Sequence, residues 1–198
     1  DGKAFVVKRF KRVNLLQSVA YTLYRPTKAE RAYRFATEMR RRGISTPREI
    51  AYMELTRCGL FSVGYFVCEQ SMGTEAFTLL VDPEEFCRPL ADAIARYVVF
   101  MHSRGVLHGD LNSANFLFEN TADGDYRFDV IDINRSHFTD GMPSDDVCLE
   151  NLKRFTHRRD LYRYFIRRYA HERGWNEEET VEKALRLLEK FENRKIKL

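Results

Sequence analysis

The sequence predicts an α+β fold in two lobes, a small β-rich lobe followed by a mainly helical one. Three observations support this. Residues 4–69 run through strand-like, helix-like, strand-like and strand-like patterns in that order. Near residues 70–73 the pattern changes, and helical periodicity dominates from there on. The helical half is interrupted once, by His108-Gly109-Asp110-Leu111-Asn112-Ser113-Ala114-Asn115, which leads into a hairpin and then to Asp132. The expected division is residues 1–70 for the first lobe and 71–198 for the second.

The elements follow from local chemistry. Residues 4–10 are a β-rich run with Lys8 inside it. A lysine there can reach phosphate oxygens across a cleft, or it can serve as an edge-strand charge that discourages strand pairing. Residues 13–24 are apolar and aromatic, flanked by Lys11, Arg12 and Arg25, and read either as an interfacial helix or as a packed one. Thr27-Lys28-Ala29-Glu30 is a capping box. It opens a helix to about Arg42, with Ala29, Ala32, Tyr33, Ala36 and Met39 as its apolar stripe and Gly43 as its stop. Strands are expected over 49–56 and 61–69, joined around Gly59.

In the second lobe a long helix is expected over 83–103, with Leu90, Ile94, Tyr97, Val98 and Met101 on one face. Further helices are expected over 150–173 and 177–192, the latter capped by Asn176.

Composition narrows the class. A chain of 198 residues with 44% hydrophobic content can bury a core and is not disordered. With 31% charged residues and no apolar run near 18 residues, it reads as soluble or peripheral rather than membrane-spanning. Cys58, Cys68, Cys87 and Cys148 have no C-x-x-C spacing and read as reduced, mostly buried thiols of a cytosolic protein. No signal peptide is visible, and the first residue, Asp1, suggests a fragment or a processed chain. The net charge of +4 is concentrated in residues 153–168. That stripe could be a solvated helix face, or it could meet anionic lipid or a phosphorylated substrate; no nucleic-acid module accompanies it, so nucleic acid is not expected as a partner.

The interrupting segment carries the chemistry. Asp110 and Asn115 lie five residues apart, and Asp132 follows beyond the hairpin. Asp123-Gly124 predicts a two-residue hairpin loop, which sets residue 115 opposite residue 132 with Cβ atoms roughly 5 Å apart. An amide oxygen and a carboxylate so placed suit Mg²⁺, which takes hard oxygen ligands and few carboxylates beside phosphate and water. Asp110, in the loop before the first hairpin strand, would accept the proton of an attacking hydroxyl. Taken alone, these residues could equally satisfy turn amides; the helix before them and the hairpin after them favour a site for phosphoryl transfer.

The order of lysine strand, charged helix, two strands, long helix, HGDLNSANFLF, hairpin and FDVIDIN resembles the protein-kinase-like fold. More finely, FVVKRFKR, PTKAERAY, RGISTP, HGDLNSANFLFE and VIDINRSHF resemble the lipopolysaccharide kinase (Kdo/WaaP) family over roughly residues 4–170. The resemblance implies ATP- and Mg²⁺-dependent phosphorylation of a sugar hydroxyl in the lipopolysaccharide core or its Kdo and lipid A anchor. It implies a cytoplasmic enzyme working at the inner face of the cytoplasmic membrane. Under it, Lys8 holds the α- and β-phosphates, Asp110 is the base, and Asn115 and Asp132 hold Mg²⁺. Backbone groups around Glu69 to Ser71 hydrogen-bond the adenine, and His108 is a scaffold bracing the turn at Asp132.

This chain departs from the protein-kinase pattern in places. The arginine that protein kinases commonly place before the base is Gly109 here, which argues against activation-loop control. The lysine two residues after the base is Asn112, and Arg135 could replace its charge or simply lie at the surface. The helix position expected to hold a glutamate partner for Lys8 is Ala32, so Lys8 pairs either with Asp132 or with another acid. No glycine-rich phosphate loop is visible, and one is expected upstream in a longer protein. The alternatives are a kinase of a soluble small molecule or protein on the same fold, and a catalytically weak nucleotide-binding pseudokinase.

Overall fold

The computed structural model describes residues 2–196. The chain divides into two compact bodies: one takes residues up to Met72 together with Asp129–Asn134, and the other takes Gly73–Phe128 and Arg135 onward.

The first body begins with β1 (Phe5–Arg9), α1 (Leu15–Leu23), α2 (Lys28–Arg41), β2 (Glu49–Arg57) and β3 (Leu60–Glu69). Its sheet has the order β1-β3-β2 and is antiparallel throughout, with Lys8 opposite Phe66. The β2–β3 turn is the two-residue Cys58-Gly59, both with positive φ, the primed turn whose twist matches antiparallel strands. β3 is central and alternates between buried and half-buried positions, whereas every residue of β1, an edge strand, is exposed.

The helix expected after Thr27 forms as α2, and the Thr27 side chain accepts the Glu30 amide at 3.1 Å. Only this half of the capping box is built that way, because the Glu30 carboxylate pairs with Arg34 one turn further on. Ala29, Ala32, Ala36 and Met39 are the buried stripe, small enough to let the helix lie close on the sheet. Residues 13–24 contain the helix α1, capped by Asn14, but only Ser18 of it is buried. Ser18, Tyr21 and Thr22 meet Phe61 of β3, whereas Leu15, Leu16 and Leu23, with Tyr24 beyond the helix end, are exposed.

The second body holds β4 (Thr74–Glu75), α3 (Phe77–Leu80), α4 (Arg88–Ser103), β5 (Val106–Leu107), β6 (Phe116–Asn120), most of β7 (Tyr126–Val130), β8 (His137–Phe138), α5 (Asp145–Leu152), α6 (Arg159–Arg173) and α7 (Glu177–Ile196). β4, β6 and β7 form one small sheet, and β5 pairs with β8. The core is where α4 and α6 bury their faces, Leu90, Ile94, Val98 and Met101 from the first and Tyr162, Phe165, Ile166 and Tyr169 from the second, all fully buried. The Phe155 and Phe165 rings stack within that core.

Four sequence expectations need correction. The long helix begins at Arg88 rather than near 83, because Pro89 has no amide to donate and fits only the first turn. The helix expected over 150–173 is two helices, broken at residues 153–158. In the break the Phe155 carbonyl accepts the Ser113 amide and Thr156 Oγ1 accepts the Arg158 amide, so tertiary and local hydrogen bonds replace the helical ones. The last helix, capped by Asn176 as expected, runs on to Ile196 rather than ending near 192. Finally, the hairpin loop has three residues: the Gly124 amide bonds Thr121 O, the Thr121 amide bonds Asp125 O, and Gly124 takes φ +85°. This is a type I turn closed by a left-handed glycine. It shifts the register by one, pairing Glu119 with Arg127, so the hairpin does not set residue 115 opposite residue 132 as expected.

The basic stripe is likewise not one face. Lys153, Arg158, Arg159, Arg167 and Arg168 each meet an acid, in the order Glu150, Asp160, Glu192, Glu178 and Asp92. Of the cysteines, Cys68 and Cys148 are buried, Cys87 is half-buried, and Cys58 sits exposed in the β2–β3 turn. Burial pushes the Cys68 and Cys148 thiols up, away from the reactive thiolate.

Candidate active site

β5 ends one residue before His108, and the loop that follows is held almost entirely through its backbone. His108 is fully buried, and its Nδ1 accepts the Asp110 amide at 3.1 Å. Its carbonyl accepts from Asn151 Nδ2 at 2.8 Å, and Asn151 Oδ1 meets His102 Nε2 at 3.1 Å. His102 Nδ1 completes the chain against the Tyr169 hydroxyl at 2.8 Å. Burial pushes His102 down to about 4, so the ring is neutral near pH 7 and links the loop to α6 without a charge. His108 thus braces the Asp110 amide through its Nδ1.

The other side of the loop is pinned at one atom. The Asp110 carbonyl accepts from Asn112 Nδ2 at 3.2 Å and from Asn115 Nδ2 at 2.8 Å. Asn112 Oδ1 in turn accepts the Ala114 amide. These bonds fix the Asp110 backbone and leave its carboxylate half-exposed, with the Arg154 guanidinium 3.5 Å away. Gly109 has a plain steric cause: a Cβ there would lie 2.0 Å from the Arg135 carbonyl oxygen. The arginine found in regulated protein kinases could not be built at this position without moving the backbone.

In the first body Lys8 Nζ lies 2.5 Å from Asp132 Oδ1, which answers the question left open by Ala32: the acid that meets Lys8 is Asp132. Asn134 Nδ2 approaches the same oxygen at 3.2 Å. Asp132 has φ +55°, a left-handed conformation that costs a non-glycine residue of order 1 kcal/mol or more and that concentrates at functional sites. Three residues earlier, Asp129 accepts the hydroxyls of Ser45 and Ser71 at 2.6 and 2.7 Å. In the segment expected to meet adenine, the Glu69 amide donates to Arg48 O and the Gln70 amide to Ala4 O, so both are engaged within the sheet. The Glu69 carboxylate lies 3.4 Å from Lys3.

The sequence-predicted residues thus fall into two sets: Lys8, Glu69, Ser71 and Asp132 in the first body, Asp110 and Asn115 in the second. Within each set contacts join Lys8 to Asp132 and Asn115 to Asp110.

Each body carries a hard oxygen donor. Asn115 spends its Nδ2 on Asp110, which leaves its Oδ1 as an acceptor in the second body, and Asp132 offers a carboxylate in the first. Among the described residues no group of three or more His, Cys, Asp or Glu could hold a metal. Amide and carboxylate oxygens are each donors of the kind Mg²⁺ takes beside phosphate and water.

Beside Asp110 the second body opens a cleft of about 330 Å³. Asp110, Asn112, Ser113 and Ala114 form one wall, Arg154 to Arg158 another, and Phe77, Val81 and Phe191 the apolar remainder. Reading the sequence did not identify Arg154, Asn151 or Asp129 as part of any site. Arg154 was hidden inside a stretch read as continuous helix; the available signal was Thr156, a helix-start residue ahead of Asp160.

The solved structure of WaaP in complex with acyl carrier protein is similar to this chain with a TM-score of 0.62 and 21% identity, over 99% of this chain and 80% of that one. The co-crystal structure of WbdD with the kinase inhibitor LY294002 is similar with a TM-score of 0.52 and 15% identity, over 93% of this chain and 42% of that one. At such identities the likeness shows the fold, a kinase-like one. No curated protein sequence matches the chain. The sequence does match the lipopolysaccharide kinase (Kdo/WaaP) family over residues 5–191, nearly its whole length. The chain belongs to that family, whose members are phosphotransferases acting on a hydroxyl of lipopolysaccharide.

Proposed function

We propose that the protein transfers the γ-phosphoryl group of ATP, with Mg²⁺, to a sugar hydroxyl of the lipopolysaccharide core or of Kdo. The observation that carries this reading is Asp110: its backbone is held by three hydrogen bonds, one at the amide and two at the carbonyl, and its carboxylate lines a cleft suited to a small acceptor. On this reading the acceptor hydroxyl oxygen forms a bond to the γ-phosphorus and the bond from phosphorus to the β,γ-bridging oxygen breaks. The hydroxyl proton passes to Asp110, and ADP leaves. Lys8 holds phosphate oxygens, and its ion pair with Asp132 positions it for them. Mg²⁺, held by Asn115 and Asp132, would neutralise charge on the phosphates. With the Glu69 and Gln70 amides engaged, carbonyl oxygens of segment 69–71 would meet the adenine amino group. Residues 1–70 then serve the nucleotide, and residues 71–198 carry the base.

Incubation with ATP, Mg²⁺ and core oligosaccharide, read as phosphosugar by mass, tests the reading. Asp110→Asn should lower kcat by about 10² to 10⁴, and Asp132→Ala should abolish Mg²⁺-dependent nucleotide binding. Transfer to soluble small molecules or proteins but to no sugar would replace this reading with the alternative kinase. Nucleotide binding without transfer to anything would make the chain a pseudokinase.

The same reading includes peripheral contact with an anionic membrane. Among the described residues no helix is long and apolar enough to cross one. The exposed Leu15, Leu16, Leu23 and Tyr24, bordered by the exposed cations Lys11, Arg12 and Arg25, suit an interfacial helix. Each cation near an anionic surface contributes about 1 kcal/mol. Co-sedimentation with anionic vesicles that is lost in Leu15→Ser/Leu16→Ser supports the contact; indifference to anionic lipid overturns it.

A further inference from the structure

We propose that Arg154 is the anion-holding residue of the acceptor subsite, so that the sugar phosphorylated here carries a negative group, a carboxylate or a phosphate, near the reacting hydroxyl. The inference rests on the kinase reading above and adds the charge class of its acceptor. Three cationic or basic side chains line the cleft beside Asp110: Arg154, His157 and Arg158. Two are committed elsewhere. Arg158 donates to both oxygens of Asp160, and also to main-chain carbonyls of residues 80–84, where it fastens the loop before α4 to the start of α6. His157 turns its Nδ1 to Glu192 at 3.0 Å.

Arg154 differs from both. Its guanidinium packs 4.8 Å from the centre of the Phe191 ring, a contact that orients the planar fork without using its N–H groups. Among the described residues its one acidic neighbour is Asp110, at 3.5 Å. Charge-assisted hydrogen bonds are typically about 2.7–2.9 Å long, so this is attraction without a closed bidentate pair. The chain thus holds a preoriented cation, with donors to spare, over the carboxylate that must take the acceptor's proton. An acceptor anion taken by Arg154 supplies the missing partner, anchors the ring with its hydroxyl towards Asp110, and draws the guanidinium off the base. The apolar Phe77, Val81 and Phe191 offer walls for the C–H faces of a sugar.

The test uses steady-state kinetics of the full chain with core oligosaccharide in three forms: intact, with carboxylates reduced to alcohols, and with phosphates removed. In the unmodified protein one of the two altered forms should lose about 10- to 100-fold in kcat/KM, the worth of a charged hydrogen bond, and which form loses identifies the anion. Arg154→Ala should raise KM for the intact acceptor by a similar factor, leave KM for ATP within twofold, and erase the discrimination between forms. Arg154→Lys should recover part of it by charge without the fork. Equal use of all three forms by the unmodified protein overturns the subsite while the kinase reading stands. So does an Arg154→Ala defect that falls equally on every acceptor or on KM for ATP, which would assign the guanidinium to the transferred phosphoryl group. Transfer to none of the three forms overturns both readings.

Discussion

The two bodies hold their candidate site residues on different kinds of support. In the second, the loop bearing Asp110 is tied through His108, Asn151, His102 and Tyr169 to helices whose inward faces are fully buried. In the first, Lys8 sits on an edge strand with all five residues exposed, and its partner Asp132 occupies a left-handed conformation. The contrast separates two physical needs. On the proposed reading Asp110 is a base, which must be held in one orientation while a proton moves, and that calls for dense packing and neutral, fully bonded side chains. On the same reading Lys8 must admit a bulky, charged nucleotide, and a half-exposed ion pair worth only about 0–1 kcal/mol is easily exchanged for phosphate.

The largest expected effect would break this contrast outright if it failed. Phe165→Ala, in the α4–α6 core, should cost about 3–5 kcal/mol in urea denaturation, and Val7→Ala, on the exposed strand, less than about 0.5 kcal/mol. Similar losses at both sites would mean that the bodies are equally packed.

Next in size is a pH effect confined to the helical body. His102 is neutral when folded, with its pKa pushed to about 4 from an ordinary 6.5, so below 6.5 the unfolded chain binds the proton first. Its stabilisation is complete above about pH 6.5 and lost as pH falls towards about 4, an amount of about 3 kcal/mol. Denaturation midpoints across that window should drop in the parent protein, and the drop should be shallower in His102→Gln.

Gly109→Ala sharpens the comparison at the site. The added Cβ meets the Arg135 carbonyl, and relieving that overlap costs about 1–3 kcal/mol and moves the Asp110 loop. Turnover should fall at least about tenfold while nucleotide affinity, read by fluorescence titration, holds; a matching loss of affinity would show that the first body feels the change. The smallest effect is Thr27→Ala, which removes the α2 cap and should cost about 1 kcal/mol by thermal melting.

Much of this was legible in advance because it is local. Thr27, Asn176, Gly43 and the Cys58-Gly59 turn act within a few residues, through capping bonds and backbone conformation. The α4 and α6 faces follow from helical period. Local signals misled where a competing one was overlooked: Pro89 delays α4, and a turn of three residues displaced the two-residue loop that Asp123-Gly124 suggested. The residues of the acid and amide motif stood out by spacing alone; what surrounds them did not. Arg154 reaches Asp110 from 44 positions away in sequence, and the break in helix that frees it is made by the Ser113 amide.

The sequence by itself therefore determined the element types, the caps and the identity of the oxygen-bearing residues, since propensity, period and motif spacing are properties of neighbouring residues. Only the tertiary structure decided that Lys8 pairs with Asp132, that Gly109 must lack a side chain, and that a single arginine in a basic run faces Asp110. Each of these depends on atoms far apart in the chain, where sequence spacing carries no distance and packing alone sets which charge meets which.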